Sequence, residues 1–286
     1  MLKNKILAYF KLMRFHQPIG IWLLLSPALW ALWIAGKGNP SFKNIVIIIL
    51  GGVVMRAAGC VINDIADRNF DKHVARTKNR PLTSGQITLI EAQIIFLLLI
   101  IIAGILVLQL NQLCLMLAVL ALFLAFLYPF TKRWVSFPQF FLSLAFGMGA
   151  PIAFAAENGQ VTLIAGLIFL INMMWTLVYD TEYAMADKED DLKIKIKSTA
   201  ILWGTHDVLA ILVLQVLMVI LLAVLGVILK FYYLYFIFIG VVVFLFCYQL
   251  KLISSREPQN CFKAFLNNQW VGLVIFLCIF LSYKFT

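Results

Sequence analysis

Charge is scarce in this sequence: Asp, Glu, Lys and Arg make up only 13% of its 286 residues, about half the share of an ordinary soluble domain. The length alone would allow one or two soluble domains, but such a composition fits them poorly. Metal and redox architectures are missing too. His16, His73 and His206 are scattered, and Cys60, Cys114, Cys247, Cys261 and Cys278 form no C-x-x-C pair. Four of the cysteines lie in apolar stretches, where a thiol behaves as a small hydrophobe, so neither a disulfide framework nor a zinc site is expected. No glycine-rich phosphate loop and no G-x-S-x-G elbow occurs. There is also no basic stripe interleaved with aromatics, so the net charge of +10 does not imply a nucleic acid partner.

What is abundant is apolar sequence, 63% of the residues, arranged in runs longer than the ~18 residues that mark a membrane-spanning helix. Nine spans are expected, near 17–36, 43–63, 87–109, 112–130, 138–156, 161–180, 208–229, 232–250 and 268–285. The breaks carry turn chemistry, as in Gly36-Lys37-Gly38-Asn39-Pro40, Glu157-Asn158-Gly159 and Arg256-Glu257-Pro258. The break at 110–112 is so short that the third and fourth spans should form an antiparallel pair. The reading is of one all-α membrane domain over residues 1–286. Ahead of the first span, Leu2, Ile6, Tyr9 and Met13 recur at helical spacing with Lys3, Lys5, Lys11 and Arg14 off that stripe. This predicts a helix lying in the membrane interface and retained in the protein. Trp22, Trp30 and Trp33 read as span packing and interface belt.

Lysine and arginine set orientation, because cytoplasmic loops hold them in excess. With the N-terminus inside, 18 of the 23 basic residues fall on the cytoplasmic side, four on the other, and Arg56 within a span. The two largest polar segments, 63–86 and 181–207, then share the cytoplasmic side. They follow the second and sixth spans, a spacing that hints at an internal repeat.

Nine of the 13 carboxylates fall in two clusters at the starts of these segments, three at 64–71 and six at 180–191. In the first, Asn63, Asp67 and Asp71 are spaced i, i+4, i+8; in the second, Asp180, Tyr183, Asp187 and Asp191 are spaced i, i+3, i+7, i+11. Each set lies on one face of a helix. Like charges so placed repel each other, so a cation should compensate. One such cluster alone reads as a solvated helix end. Two on the same side, each one-sided, point to hard divalent cations held by oxygen ligands, with a diphosphate clamped between the stripes. Arg56 lies two helical turns before Asn63 and points the same way. A charge within a span is costly and commonly faces a partner or wet cavity, here an anionic substrate group or a cluster carboxylate; snorkelling to the interface is the bland alternative. Lys132 and Arg133, Arg76, Lys78 and Arg80, and Lys193, Lys195 and Lys197 stand near the clusters and could meet phosphate oxygens, although the orientation rule already places basic residues there.

The segment from Gly59 to Asp71, with Asn63-Asp64-x-x-Asp67-x-x-x-Asp71, resembles the N-D-x-x-D-x-x-x-D signature of the UbiA superfamily of intramembrane prenyltransferases. Tyr179 to Asp187 resembles its second signature, D-x-x-Y-A-x-x-D, with Asp191 at a further acidic position. The resemblance continues through Asn79-Arg80-Pro81, Tyr128-Pro129-Phe130-Thr131-Lys132-Arg133 and Ile196 to Gly204. It extends to Pro18-Ile19-Gly20 and Asn267-Asn268, and so covers nearly the whole chain. The flanking segments resemble the bacterial 4-hydroxybenzoate branch, apart from His16-Gln17, where that branch often has an acidic-basic pair.

The resemblance implies nine helices around a central cavity with polar cytoplasmic caps, in a bacterial-type inner membrane. It implies Mg2+, a polyprenyl diphosphate donor and an aromatic acceptor, 4-hydroxybenzoate, in ubiquinone synthesis, with no obligatory protein partner. By motif, Asn63, Asp67, Asp71, Asp180, Asp187 and Asp191 belong to the metal–diphosphate site. Lys132 and Arg133 go to the diphosphate and Arg56 to the acceptor pocket, while Asp67 and Asp187 carry the catalytic role. Two other readings stand beside it: a cation-coupled transporter, since intramembrane carboxylates also mark ion paths, and a sister enzyme acting on a naphthoate or homogentisate.

Overall fold

The computed structural model describes residues 2–69, 72 and 77–285, and among them all regular structure is helical. The elements are α1 (Leu2–Leu12), α2 (Ile19–Ala35), α3 (Phe42–Asp67), α4 (Leu89–Val107), α5 (Gln112–Thr131), α6 (Pro138–Gly147), α7 (Gly149–Asn158), α8 (Leu163–Lys193), α9 (Thr199–Trp203), α10 (Asp207–Ile228), α11 (Tyr233–Ile253) and α12 (Pro258–Lys284).

Among the described residues eight helical stretches are long and apolar enough to cross a membrane, α6–α7 and α9–α10 each counting as one. α2 is the ninth apolar element; its 17 residues span ~26 Å, slightly short of the ~30 Å hydrocarbon core. The expected nine spans therefore correspond to observed helices. α6–α7 is interrupted because the Pro151 ring would meet the carbonyl four residues earlier, at Gly147.

Polar side chains at the helix starts bond the first free N–H groups. Thr88 and Glu91 form a capping box on α4, Asn111 caps α5 and Thr162 caps α8. At the end opposite the acidic clusters, Glu157 accepts from Ser41 N (2.8 Å) and Asn44 Nδ2 (2.7 Å), seating the start of α3 against α7.

Helices in lipid associate through close packing and hydrogen bonds rather than hydrophobic burial, and the centre of the bundle shows both. Trp30 of α2 and Trp175 of α8 stack at 5.2 Å. Trp30 Nε1 donates to Gly272 O (3.1 Å) and Trp175 Nε1 to Asn268 Oδ1 (2.8 Å), both on α12. Gly272 permits this approach: a Cβ there would lie 2.6 Å from Ser26 Oγ and 2.8 Å from the Trp175 ring. Asn268 Nδ2 in turn donates to Glu182 Oε2 (2.7 Å), so one amide ties α8 to α12 through both of its polar atoms.

α1 is amphipathic as expected, but it docks on α3 and α4 through Ala8 and Leu12, both buried, with Ile6, Leu7 and Phe10 outward. The expected close pairing of α4 with α5 is not seen. α4 packs on α3, α5 packs on α6, and the two meet each other sparsely although a short turn joins them. A cavity lies between them and keeps their facing sides apart.

Candidate active site

α8 runs unbroken to Lys193, well past the length a bilayer requires, so its acidic stripe is a helix face. Asp180, Tyr183, Asp187 and Asp191 all line one polar cavity of about 140 Å³. Across it stand Asn63 and Asp67 from the last turn of α3, with Lys132, Arg80 and Thr77. The two acidic clusters thus meet at a shared pocket. Asp71, the third acid expected of the first stripe, lies outside the described residues, as do Arg76 and His73.

The walls of this pocket are fixed by its caps. The backbone N–H of Lys197 donates to Lys132 O (3.1 Å) and Lys197 Nζ donates to Trp134 O (2.8 Å), joining the segment after α8 to the one after α5. Gln139 Oε1 accepts from Thr199 N (3.0 Å), and the Thr181 and Thr199 hydroxyls are 2.7 Å apart. Lys188 and Arg256 both bridge to the buried Asp207, at 3.2 and 2.9 Å, so the start of α10 and the turn before α12 hold the outer face of α8.

Lys132 Nζ pairs with the Asp67 carboxylate. Arg133 is placed differently: Nη2 donates to Ala66 O (2.6 Å) and the guanidinium lies 5.5 Å from the Phe130 ring centre. It closes the end of α3 from outside and is absent from the residues lining the pocket.

A second cavity, of about 300 Å³, begins where the first ends. Asn63 and Tyr128 line both. The second is apolar, walled by α2 through α7, and runs along α3 from Asn63 to Ile47, a rise of ~24 Å at 1.5 Å per residue. Among the described residues Arg56 is its one charged lining residue. It lies over Gly20, where a Cβ would come within 2.3 Å of Nε, and its guanidinium sits 6.0 Å from the Phe146 ring centre. Arg56 Nε is buried with no hydrogen-bond partner.

The donor set suits magnesium, which takes one or two carboxylates and completes its shell with phosphate oxygens and water. The pocket offers oxygen donors, Asp67 already attracts a cation, and Asn63 Oδ1 is buried without a hydrogen-bond partner. Among the described residues no group of three His, Cys, Asp or Glu is arranged to hold a metal ion.

Residue by residue, Asn63, Asp67, Asp180, Asp187, Asp191 and Lys132 come together, Arg56 stands next door, and Arg133 is one layer back. In the sequence Tyr128 stands only within a motif, and its place at the junction shows only in three dimensions. Gln139 gave no signal at all.

An acid-lined pocket opening into a membrane-depth apolar chamber defines an intramembrane enzyme for amphiphilic substrates, and the comparisons agree. Residues 24–280 match the UbiA prenyltransferase family, and the chain belongs to it. It is 52% identical over 283 residues to a 4-hydroxybenzoate octaprenyltransferase of Coxiella burnetii, covering 99% of each chain. It is 50% identical over 281 residues to the protein of that name from an Enterobacter species, covering 98% of this chain and 97% of that one. Among solved structures, a UbiA homolog from Aeropyrum pernix superposes with a TM-score of 0.80 at 20% identity, over 91% of this chain and 97% of that one. A UbiA homolog from Archaeoglobus fulgidus bound to GPP and Mg2+ superposes at 0.72 and 17% identity, over 96% and 99%. These two likenesses establish the fold.

Proposed function

We propose that the chain transfers a polyprenyl group from a polyprenyl diphosphate to the ring carbon ortho to the hydroxyl of 4-hydroxybenzoate, a membrane step of ubiquinone synthesis. The observation that carries this reading is the joining of the two cavities at Asn63 and Tyr128. A diphosphate fits the polar one, an isoprenoid tail fits the apolar one, and the bond between them falls at the junction. The names of the half-identical relatives support the donor and acceptor. The lysine and arginine asymmetry supports an inner membrane with the acid-lined pocket facing the cytoplasm.

Asn63, Asp67, Asp180, Asp187 and Asp191 would hold magnesium with the diphosphate. When bound, the metal supplies positive charge against the leaving group as the allylic C–O bond lengthens. Lys132 adds a mobile cation that can pass from Asp67 to a phosphate oxygen. Arg133 keeps the end of α3 in place behind it. The apolar chamber excludes water that would otherwise quench the allylic cation. Arg56 is suited to the acceptor carboxylate, since its guanidinium has an N–H to give and no partner for it. The ring carbon ortho to the phenol hydroxyl then bonds to the cation, and the ring proton leaves to a pocket carboxylate, a role assigned to Asp187, which lines the polar cavity.

The direct test is purified protein with 4-hydroxybenzoate, a long-chain prenyl diphosphate and Mg2+, with the prenylated product followed by chromatography. Magnesium-dependent product is expected. Product formed equally well in chelator, or from naphthoate or homogentisate alone, would sink the assignment.

A further inference from the structure

One carboxylate of the first signature points away from the pocket. Asp64 follows Asn63 directly, yet its side chain is only 1% exposed and is absent from both cavity walls. Its Oδ1 accepts from Arg14 Nη2 at 2.8 Å and from Arg80 Nη1 at 3.2 Å. The two arginines come from different places. Arg80 belongs to the segment between α3 and α4 and lines the polar cavity beside Asn63 and Asp67. Arg14 ends the interfacial helix α1.

Arg14 is held at a backbone cost. Its φ is +59°, a left-handed conformation that closes a helix and is usually given to glycine. Phe15 N bonds Phe10 O across it at 3.2 Å, the closure such a residue makes. A long side chain is kept at a position glycine would fill more easily, and that side chain ends on Asp64. A second polar tie of α1 runs to Glu91 of α4, which takes Lys5 at 2.8 Å and the Tyr9 hydroxyl at 2.9 Å.

We infer that Asp64 is a positioning residue: it fixes the Arg80 guanidinium at the wall of the polar cavity, ready for a diphosphate, and fastens α1 to the same point of α3. The inference rests on the diphosphate reading above, but not on the acceptor. A buried carboxylate that accepts from a guanidinium fixes the orientation of its rigid fork. Comparable supporting groups behind a bound ion are worth 10–100-fold in affinity.

The test is a set of variants in detergent, read by binding of magnesium pyrophosphate, by steady-state kinetics and by amide exchange of residues 2–12. Asp64→Asn keeps the shape and removes the charge. It is expected to raise both the donor KM and the pyrophosphate Kd about tenfold with kcat changed less than threefold, and to speed exchange in α1. Asp64→Glu should recover most of the affinity. Arg80→Gln should match the affinity loss while leaving α1 protected, and Arg14→Gln should do the reverse, so the two arms separate. The double variant Asp64→Asn/Arg80→Gln should bind no more weakly than Arg80→Gln alone. Additive losses, or Asp64→Asn with the Kd and KM of the unaltered protein, would overturn the inference. If the unaltered protein binds magnesium pyrophosphate yet leaves 4-hydroxybenzoate unmodified, the acceptor assignment falls and this one stands. If it does not bind magnesium pyrophosphate, both fall.

Discussion

The two cavities share two residues and little else. The polar one is tied by side-chain bonds: Lys197 spans from the segment after α8 to the one after α5, Gln139 grips the start of α9, and Arg133 closes the end of α3. The apolar one is loosely bounded. Of α4 only Ala92 and Leu99 are buried, and of α5 only Cys114, Pro129 and Thr131. The difference suits the ligand proposed for each. A diphosphate has fixed geometry and two or more charges, so donors must wait in place. An isoprenoid chain offers only apolar surface, for which shape and dryness suffice.

The largest effect is expected where that contrast is sharpest. Asp67→Asn and Asp187→Asn should each lower turnover by about 10²–10³-fold, the scale seen when one preorganised group facing developing charge is lost. Product formation at saturating substrates measures it. Near-normal rates in both variants would remove the polar cavity from the chemistry.

Next is Arg56, the charge on the apolar side. Arg56→Gln is expected to raise the KM for 4-hydroxybenzoate roughly 10–100-fold, the loss of a charged hydrogen bond worth about 1.5–3 kcal/mol, while the donor KM stays put. A donor KM that rises equally would move Arg56 to the diphosphate and blur the division between cavities.

A smaller and more selective effect should come from filling the apolar chamber. Gly104 lines it, and a Cβ built there meets nothing within 4 Å. Gly104→Leu should leave turnover of geranyl diphosphate nearly intact and slow a long-chain donor about tenfold, since pocket–chain misfits discriminate on that scale. Equal slowing of both donors would show that the tail takes another path.

The least effect on chemistry is expected behind both cavities. Asn268→Leu strands Trp175 Nε1 and Glu182 Oε2, at a cost of about 1–3 kcal/mol for each buried polar group left unpaired. Thermal unfolding in detergent should fall while the KM for donor and acceptor stay the same. A changed donor KM would mean that the α8–α12 tie also sets the pocket.

The spans could be read from the chain because membrane hydropathy is a one-dimensional signal. So could the acid stripe of α8, because helical spacing alone puts Asp180, Tyr183, Asp187 and Asp191 on one face, and all four line the pocket. Arg56 was legible for the opposite reason: a charge within lipid is conspicuous. The separation of α4 from α5 was not legible, since a short turn predicts packing and only the facing helices reveal the space between. Arg133 and Lys132 are adjacent and chemically alike, so sequence could not tell which meets the pocket and which the Ala66 carbonyl. Asp64 sits inside a motif of site carboxylates, and its opposite direction follows from where Arg14 and Arg80 end.

Val119 lines the apolar chamber and is 60% exposed, and its neighbours on α4 and α5 are largely exposed too. The chamber therefore has no complete protein wall on the side of α4 and α5. In a bilayer that side faces acyl chains. The capacity of the enzyme for long tails is then shared with its solvent, and lipid composition or detergent choice becomes part of the specificity rather than a condition of the assay.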